Sequence, residues 1–137
     1  EVQQTLRSLL PAKHFDLILT HSPYGEYTRH RRHEETSQAV ITLWEKGFIT
    51  TNEVWMFAYA DSGKGGKDDP PQAIKTAHLL IQLPEEVWQR KYYIITDIYG
   101  FAPETYESSI VLREEAFWCF RYPSQFRKWL EVRRRVR

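Results

Sequence analysis

The chain has 137 residues, 42% of them hydrophobic, and a formal net charge of +1. That is long enough to bury a core, too apolar for intrinsic disorder, and too nearly neutral to give a general reason to expect nucleic acid as a partner. One cysteine, Cys119, excludes an internal disulfide framework, and the apolar runs are far too short to span a bilayer. From Val2 to Leu10, Leu6, Leu9 and Leu10 fall at near-helical spacing, which predicts a short helix ended by Pro11. Asp16-Leu17-Ile18-Leu19-Thr20 predicts a strand covered on both faces, and Ser22-Pro23-Tyr24-Gly25 breaks it. A helix is predicted from about His33 to Lys46. Glu34 and Glu35 suit its positive end, Ala39, Val40, Leu43 and Trp44 give it an apolar stripe, and Gly47 stops it. Val54 to Ala60 reads as a second buried strand. Asp61 to Pro71 reads as a loop, either a surface connection or a lid at a substrate edge.

Ala77 to Leu83 predicts a third, short strand. Pro84-Glu85-Glu86 opens a helix with Val87, Ile94, Ile95 and Ile98 as its buried stripe and Gly100 just past its end. A turn is expected around Pro103. Ser108 to Leu112 is compatible with a strand or an extended segment, and Glu114 to Phe120 with a strand or a helix. Ser124 to Val132 reads as a helix, followed by a solvated basic end, Arg133-Arg134-Arg135. Strands alternating with helices predict an α/β fold in a single domain over residues 1–137.

The chemistry-bearing stretch is His30-Arg31-Arg32-His33, where a strand has just ended and a helix begins. Open α/β sheets place their ligands there. If both histidines are helical, their spacing puts them on one face, and imidazole nitrogen suits zinc and similar metals. Two histidines do not make a site, since a catalytic zinc takes three protein ligands. The plainer alternative is a pair of partly exposed histidines in a polar helix start. His21 ends the preceding strand and can face the same cleft, whereas His14 and His78 read as surface residues. The chain is also rich in aromatics, with 5 Trp, 8 Tyr and 7 Phe. That suits a sugar-facing cleft or simply a core of large residues.

The run THSPYGEYTRHRRHEETSQAV, from Thr20 to Val40, resembles the second signature of the LmbE-like family, the N-acetylglucosaminyl-phosphatidylinositol de-N-acetylases and their relatives. Strand, turn, tyrosine and both histidines arrive in the family's order. Leu83 to Gly100, with Lys91 in an aromatic-rich helix, is similar to a later stretch of the same family. The resemblance implies a Rossmann-like α/β fold with a partial parallel sheet, and zinc-dependent removal of an N-acetyl group from an amino sugar or glycoconjugate. It assigns His33 to the metal, His30 to catalysis beside the charged intermediate, and Tyr27 to the oxyanion.

This sequence departs from the family pattern in lacking a His-Pro-Asp-Asp run, which would supply further metal ligands and a general base. Thr28-Arg29 also separates Tyr27 from His30, and Arg31-Arg32 stands where Pro-Asp is common. Together with a periodic segment that starts at Glu1, this gives the expectation of a C-terminal portion of a deacetylase-like domain. On that expectation the isolated chain binds zinc weakly or not at all and is inactive, and exposed sheet edges favour homo-oligomers. The expected compartment is the cytoplasm. A non-catalytic sugar-binding or interaction module of the same fold is the alternative. A third reading uses Arg29, Arg31 and Arg32 to hold an anion, although Gly63-Lys64-Gly65-Gly66 is followed by no Walker spacing.

Overall fold

The structure, a computed structural model, describes residues 1–10, 13–26, 30–60 and 70–135. Its elements in chain order are α1 (Val2–Leu9), β1 (His14–Thr20), α2 (Arg31–Glu45), β2 (Thr50–Phe57), β3 (Tyr59–Ala60) and β4 (Gln72–Ala73). They continue with β5 (Leu79–Gln82), α3 (Glu85–Tyr93), a π-helical turn (Ile94–Ile98), α4 (Tyr106–Ser109), β6 (Glu114–Phe120) and α5 (Pro123–Arg135). The fold is mixed α/β. Four strands form one sheet in the order β1-β2-β6-β5, and β3 and β4 form a separate two-stranded ribbon. β1 and β2 pair in parallel, with His14 opposite Thr50 and Thr20 opposite Met56, whereas β5 and β6 are antiparallel. The sheet is therefore mixed and not the parallel one expected. The reason lies at Leu83, whose N–H donates to Arg113 O at 2.8 Å. The chain comes back to the end where β5 finished, so β6 must run against it.

Two compact units can be distinguished. The first comprises Glu1–Gly25, Arg29–Phe57 and Trp118–Arg137. Its core lies between α2 and the parallel pair. The predicted stripe on α2 is buried throughout, with Leu43 at 2% exposure, and Val54 and Met56 on β2 are fully enclosed. Each such aliphatic side chain contributes about 1.5–3 kcal/mol by leaving water. The helix stops where a left-handed residue is required. Gly47 has φ +70°, its N–H donates to Trp44 O at 3.0 Å, and the Phe48 N–H donates to Leu43 O at 2.9 Å, which completes a Schellman motif. Pro123 opens α5, and the Gln125 side chain accepts from the Arg121 and Tyr122 N–H groups. Phe126 and Trp129 on α5 pack with Phe120 at centroid distances of 5.5 and 5.4 Å, and Arg127 pairs with Glu45 on α2 at 2.8 Å.

Two expectations fail in this unit. The first strand is not covered on both faces. Ile18 and Thr20 share the α2 side with Val54 and Met56, whereas Leu17 and Leu19 stand 43% and 50% exposed on the other side of an edge strand. Nor is the basic end merely solvated, because the Arg133 guanidinium lies 3.9 Å above the Trp118 ring and 4.8 Å from that of Trp129.

The second unit comprises Glu26–Thr28 and Ala58–Phe117. Acids in the first turn of α3 and Arg90 and Lys91 in its last turn match the helix dipole. The apolar stripe predicted for this helix is not buried: Val87, Ile94 and Ile98 are 45%, 40% and 65% exposed. Polar ties hold the helix instead. The Trp88 indole donates to Val111 O at 2.9 Å, Arg113 pairs with Glu85 and lies 3.8 Å over the Trp88 ring, and Lys91 pairs with Glu115. Tyr59 donates a second hydrogen bond to the Glu115 carboxylate. Burial pushes the Glu115 carboxyl up to about 6 and the Lys91 ammonium down. Ser108 to Leu112 is neither strand nor extended, because Thr105 caps the short helix α4 by accepting from the Ser108 N–H. Glu114 to Phe120 resolves as strand β6. Residues 61–69 of the predicted loop lie outside the described residues.

Candidate metal centre

Three histidines of the first unit gather where β1 ends and α2 begins. β1 closes at Thr20, directly before His21, and α2 opens at Arg31, directly after His30. His30 is the N-cap of α2, with extended backbone at φ −113°, so it is not helical as its spacing to His33 suggested. His33 sits in the first turn. The two rings still approach, with centroids 4.4 Å apart and planes inclined by 31°. The closer partner of His33 is His21, whose ring lies parallel to it, with centroids 3.8 Å apart and 9° between the planes. Phe57 at the end of β2 bounds the His21 ring at 6.0 Å. His21 and His33 are half-buried and His30 is exposed.

The pair lies at the carboxyl end of the parallel strands, which is the position where α/β sheets place ligands. Ring nitrogens of His21 and His33 come within 4.8 Å of each other. Imidazole donors suit zinc or a similar borderline ion. The ring pose adds a condition. A metal lies in the plane of the imidazole that binds it, and two stacked rings inclined by only 9° do not direct their nitrogen lone pairs at a common point. One ring must turn about its Cβ–Cγ bond, a broad and soft torsion, for both to bind a single ion.

His14 and His78 are exposed, as expected, and the His14 ring hydrogen-bonds Thr50 Oγ1 at 3.0 Å. Tyr27 and Arg29 lie outside the described residues. Arg31 and Arg32 do not converge outward on an anion. Both turn back to Glu35, with contacts of 2.7 Å each, and hold its carboxyl below the usual range through those hydrogen bonds. A polar groove of about 800 Å³ runs past Gln3, Arg31, Glu35 and Gln38, and none of the histidines lines it. Two buried hydroxyls flank the histidines in the chain, Thr20 Oγ1 beside His21 and Ser37 Oγ one helical turn beyond His33, and neither has a hydrogen-bond partner among the described residues.

Comparison with family models, with curated proteins and with solved structures gives no match for this chain.

Proposed function

We propose that His21 and His33 form the core of a zinc site in a hydrolase that removes an N-acyl group from an amino sugar or glycoconjugate. The observation that carries the metal reading is the approach of two imidazoles at the carboxyl end of a parallel strand pair. The resemblance of Thr20 to Val40 to the de-N-acetylase signature supplies the substrate class, and the β1–α2–β2 unit is the part of the fold compatible with a Rossmann-like arrangement. Bound zinc would polarise an amide carbonyl and lower the pKa of a water.

The chain's own residues divide the remaining work. His33, anchored in the first turn of α2, fixes one donor. His21, at the end of β1, supplies the second after a ring rotation. His30, exposed at the N-cap and 4.4 Å from His33 centroid to centroid, is placed to donate a hydrogen bond to charge developing on the substrate oxygen. The resemblance to the de-N-acetylase signature gives Tyr27 the same role. The test is zinc stoichiometry of the purified chain, followed by an assay for amine release from an N-acetylated amino sugar. Zinc at one per chain with measurable release supports the reading, and absence of zinc binding at any concentration that leaves the chain folded ends it.

A second reading, a non-catalytic sugar-binding module of the same fold, is favoured by one observation: this sequence holds no His-Pro-Asp-Asp run to act as base. Zinc binding without amine release would select it.

A further inference from the structure

Trp88, Tyr92 and Thr96 recur at four-residue intervals along α3 and into the π-helical turn, and Gln89, Tyr93 and Asp97 make the ridge beside them. These two ridges and the segment Phe101-Ala102-Pro103 line an open cleft of about 450 Å³ within the second unit. Small-molecule sites commonly enclose about 300–1,000 Å³. The cleft has a built wall. Trp88 is fixed by its bond to Val111 O and stacks on Tyr92 with centroids 5.4 Å apart. Tyr93 and Phe101 present exposed rings, at 53% and 38%.

The opposite rim is tied to the π-helical turn. Tyr99 N–H donates to Ile94 O at 3.0 Å and Phe101 N–H to Ile95 O at 3.2 Å. Gly100 has φ +77°, and Glu104, with φ +67°, takes the left-handed conformation that non-glycine residues avoid. Single π-helical turns and backbone strain of this kind both concentrate at ligand sites.

The polar groups specify the charge of the occupant. The Asp97 carboxylate has the Thr96 hydroxyl at 2.6 Å, and no cation pairs with it among the described residues. An unneutralised carboxylate at an aromatic-lined cleft attracts a cation whose C–H surfaces can lie on ring faces. A pyranose stacks its axial C–H bonds on aromatic rings, and its hydroxyls suit the Gln89 amide. We propose that this cleft binds a protonated amino sugar, with the ammonium at Asp97 and the ring against Tyr92, Tyr93 and Phe101. The choice of a sugar among organic cations rests on the amino-sugar reading above; the cleft itself uses none of the histidines.

The experiment is a titration of the full chain with glucosamine, N-acetylglucosamine and choline in EDTA, followed by NMR on the Trp88 indole N–H and the Tyr and Phe rings. Glucosamine is expected to saturate, with shifts confined to the cleft, about tenfold more tightly than N-acetylglucosamine, the ratio expected for one charge-assisted hydrogen bond. Asp97→Asn should erase that preference. Phe101→Ala should weaken both sugars, with circular dichroism confirming that each variant is folded. Equal binding of the two sugars, tighter binding of choline, or no saturable shift would overturn the proposal. Because EDTA removes zinc, failure of the hydrolase reading leaves these outcomes unchanged.

Discussion

His21 and His33 stack face to face although eleven residues and a turn separate them in the chain. A parallel strand ending and a helix beginning deliver the two rings to one point. The pair, not the H-x-x-H spacing alone, is the geometric core of the proposed site. His33→Ala and His21→Ala should therefore each lose zinc, while His30→Ala keeps it and loses turnover. Metal content by mass spectrometry alongside amine release separates these roles, and loss of zinc in the His30 variant would contradict them.

Glu115 gives a pH dependence of known sign. Folded, its carboxyl keeps a proton up to about 6, whereas the ordinary value is 4.5. Between those values the native state binds more protons than the unfolded one, so this residue's contribution to stability falls as pH rises through that window. Relative to Glu115→Gln, the unaltered chain should lose up to about 2 kcal/mol between pH 4.5 and 6.5. Denaturant unfolding of both proteins across that range is the measurement; parallel curves would show that the donors Lys91 and Tyr59 offset the burial.

Cys119 should be a slow nucleophile. Burial, reinforced by the Glu53 carboxylate, pushes its thiol up to about 11, so almost none is thiolate at neutral pH. Iodoacetamide at pH 7.5 is expected to alkylate the native chain at least tenfold more slowly than the urea-unfolded chain. Equal rates would place the thiol in a more open setting.

Gly47→Ala tests the end of α2. Nothing crowds a Cβ at that position, so the penalty comes from φ +70° alone. A loss of about 1 kcal/mol is expected, read as a lower urea midpoint at unchanged slope. A neutral result would mean that Lys46 and Phe48 hold the turn without glycine.

How far the sequence revealed the structure depended on which force dominated each segment. The α2 stripe was legible because Ala39, Val40, Leu43 and Trp44 follow the helical period and pack on a sheet, where burial decides. The stripe assigned to α3 was misread for a related reason. Val87, Ile94 and Ile98 carry the period, but the helix is fixed by the Trp88 indole and the Glu85 and Lys91 ion pairs, and a π-helical turn changes its phase after Tyr93. Periodicity contains no term for such ties. At the site, His30 and His33 were visible as a motif. The approach of His21 was only partly visible, because it depends on where β1 stops. The antiparallel entry of β6 was not visible, since it is set by where Arg113 meets Leu83.

The two leucines on the open side of β1 have a practical consequence for handling the protein. Leu17 and Leu19 keep about half of their surface hydrated, on a strand whose seven residues carry one acid, Asp16. Sulfate and phosphate are excluded from protein surfaces and raise the cost of wetting hydrocarbon. Ammonium sulfate should therefore precipitate this chain earlier than a Leu17→Lys/Leu19→Glu double variant, at equal concentration and pH.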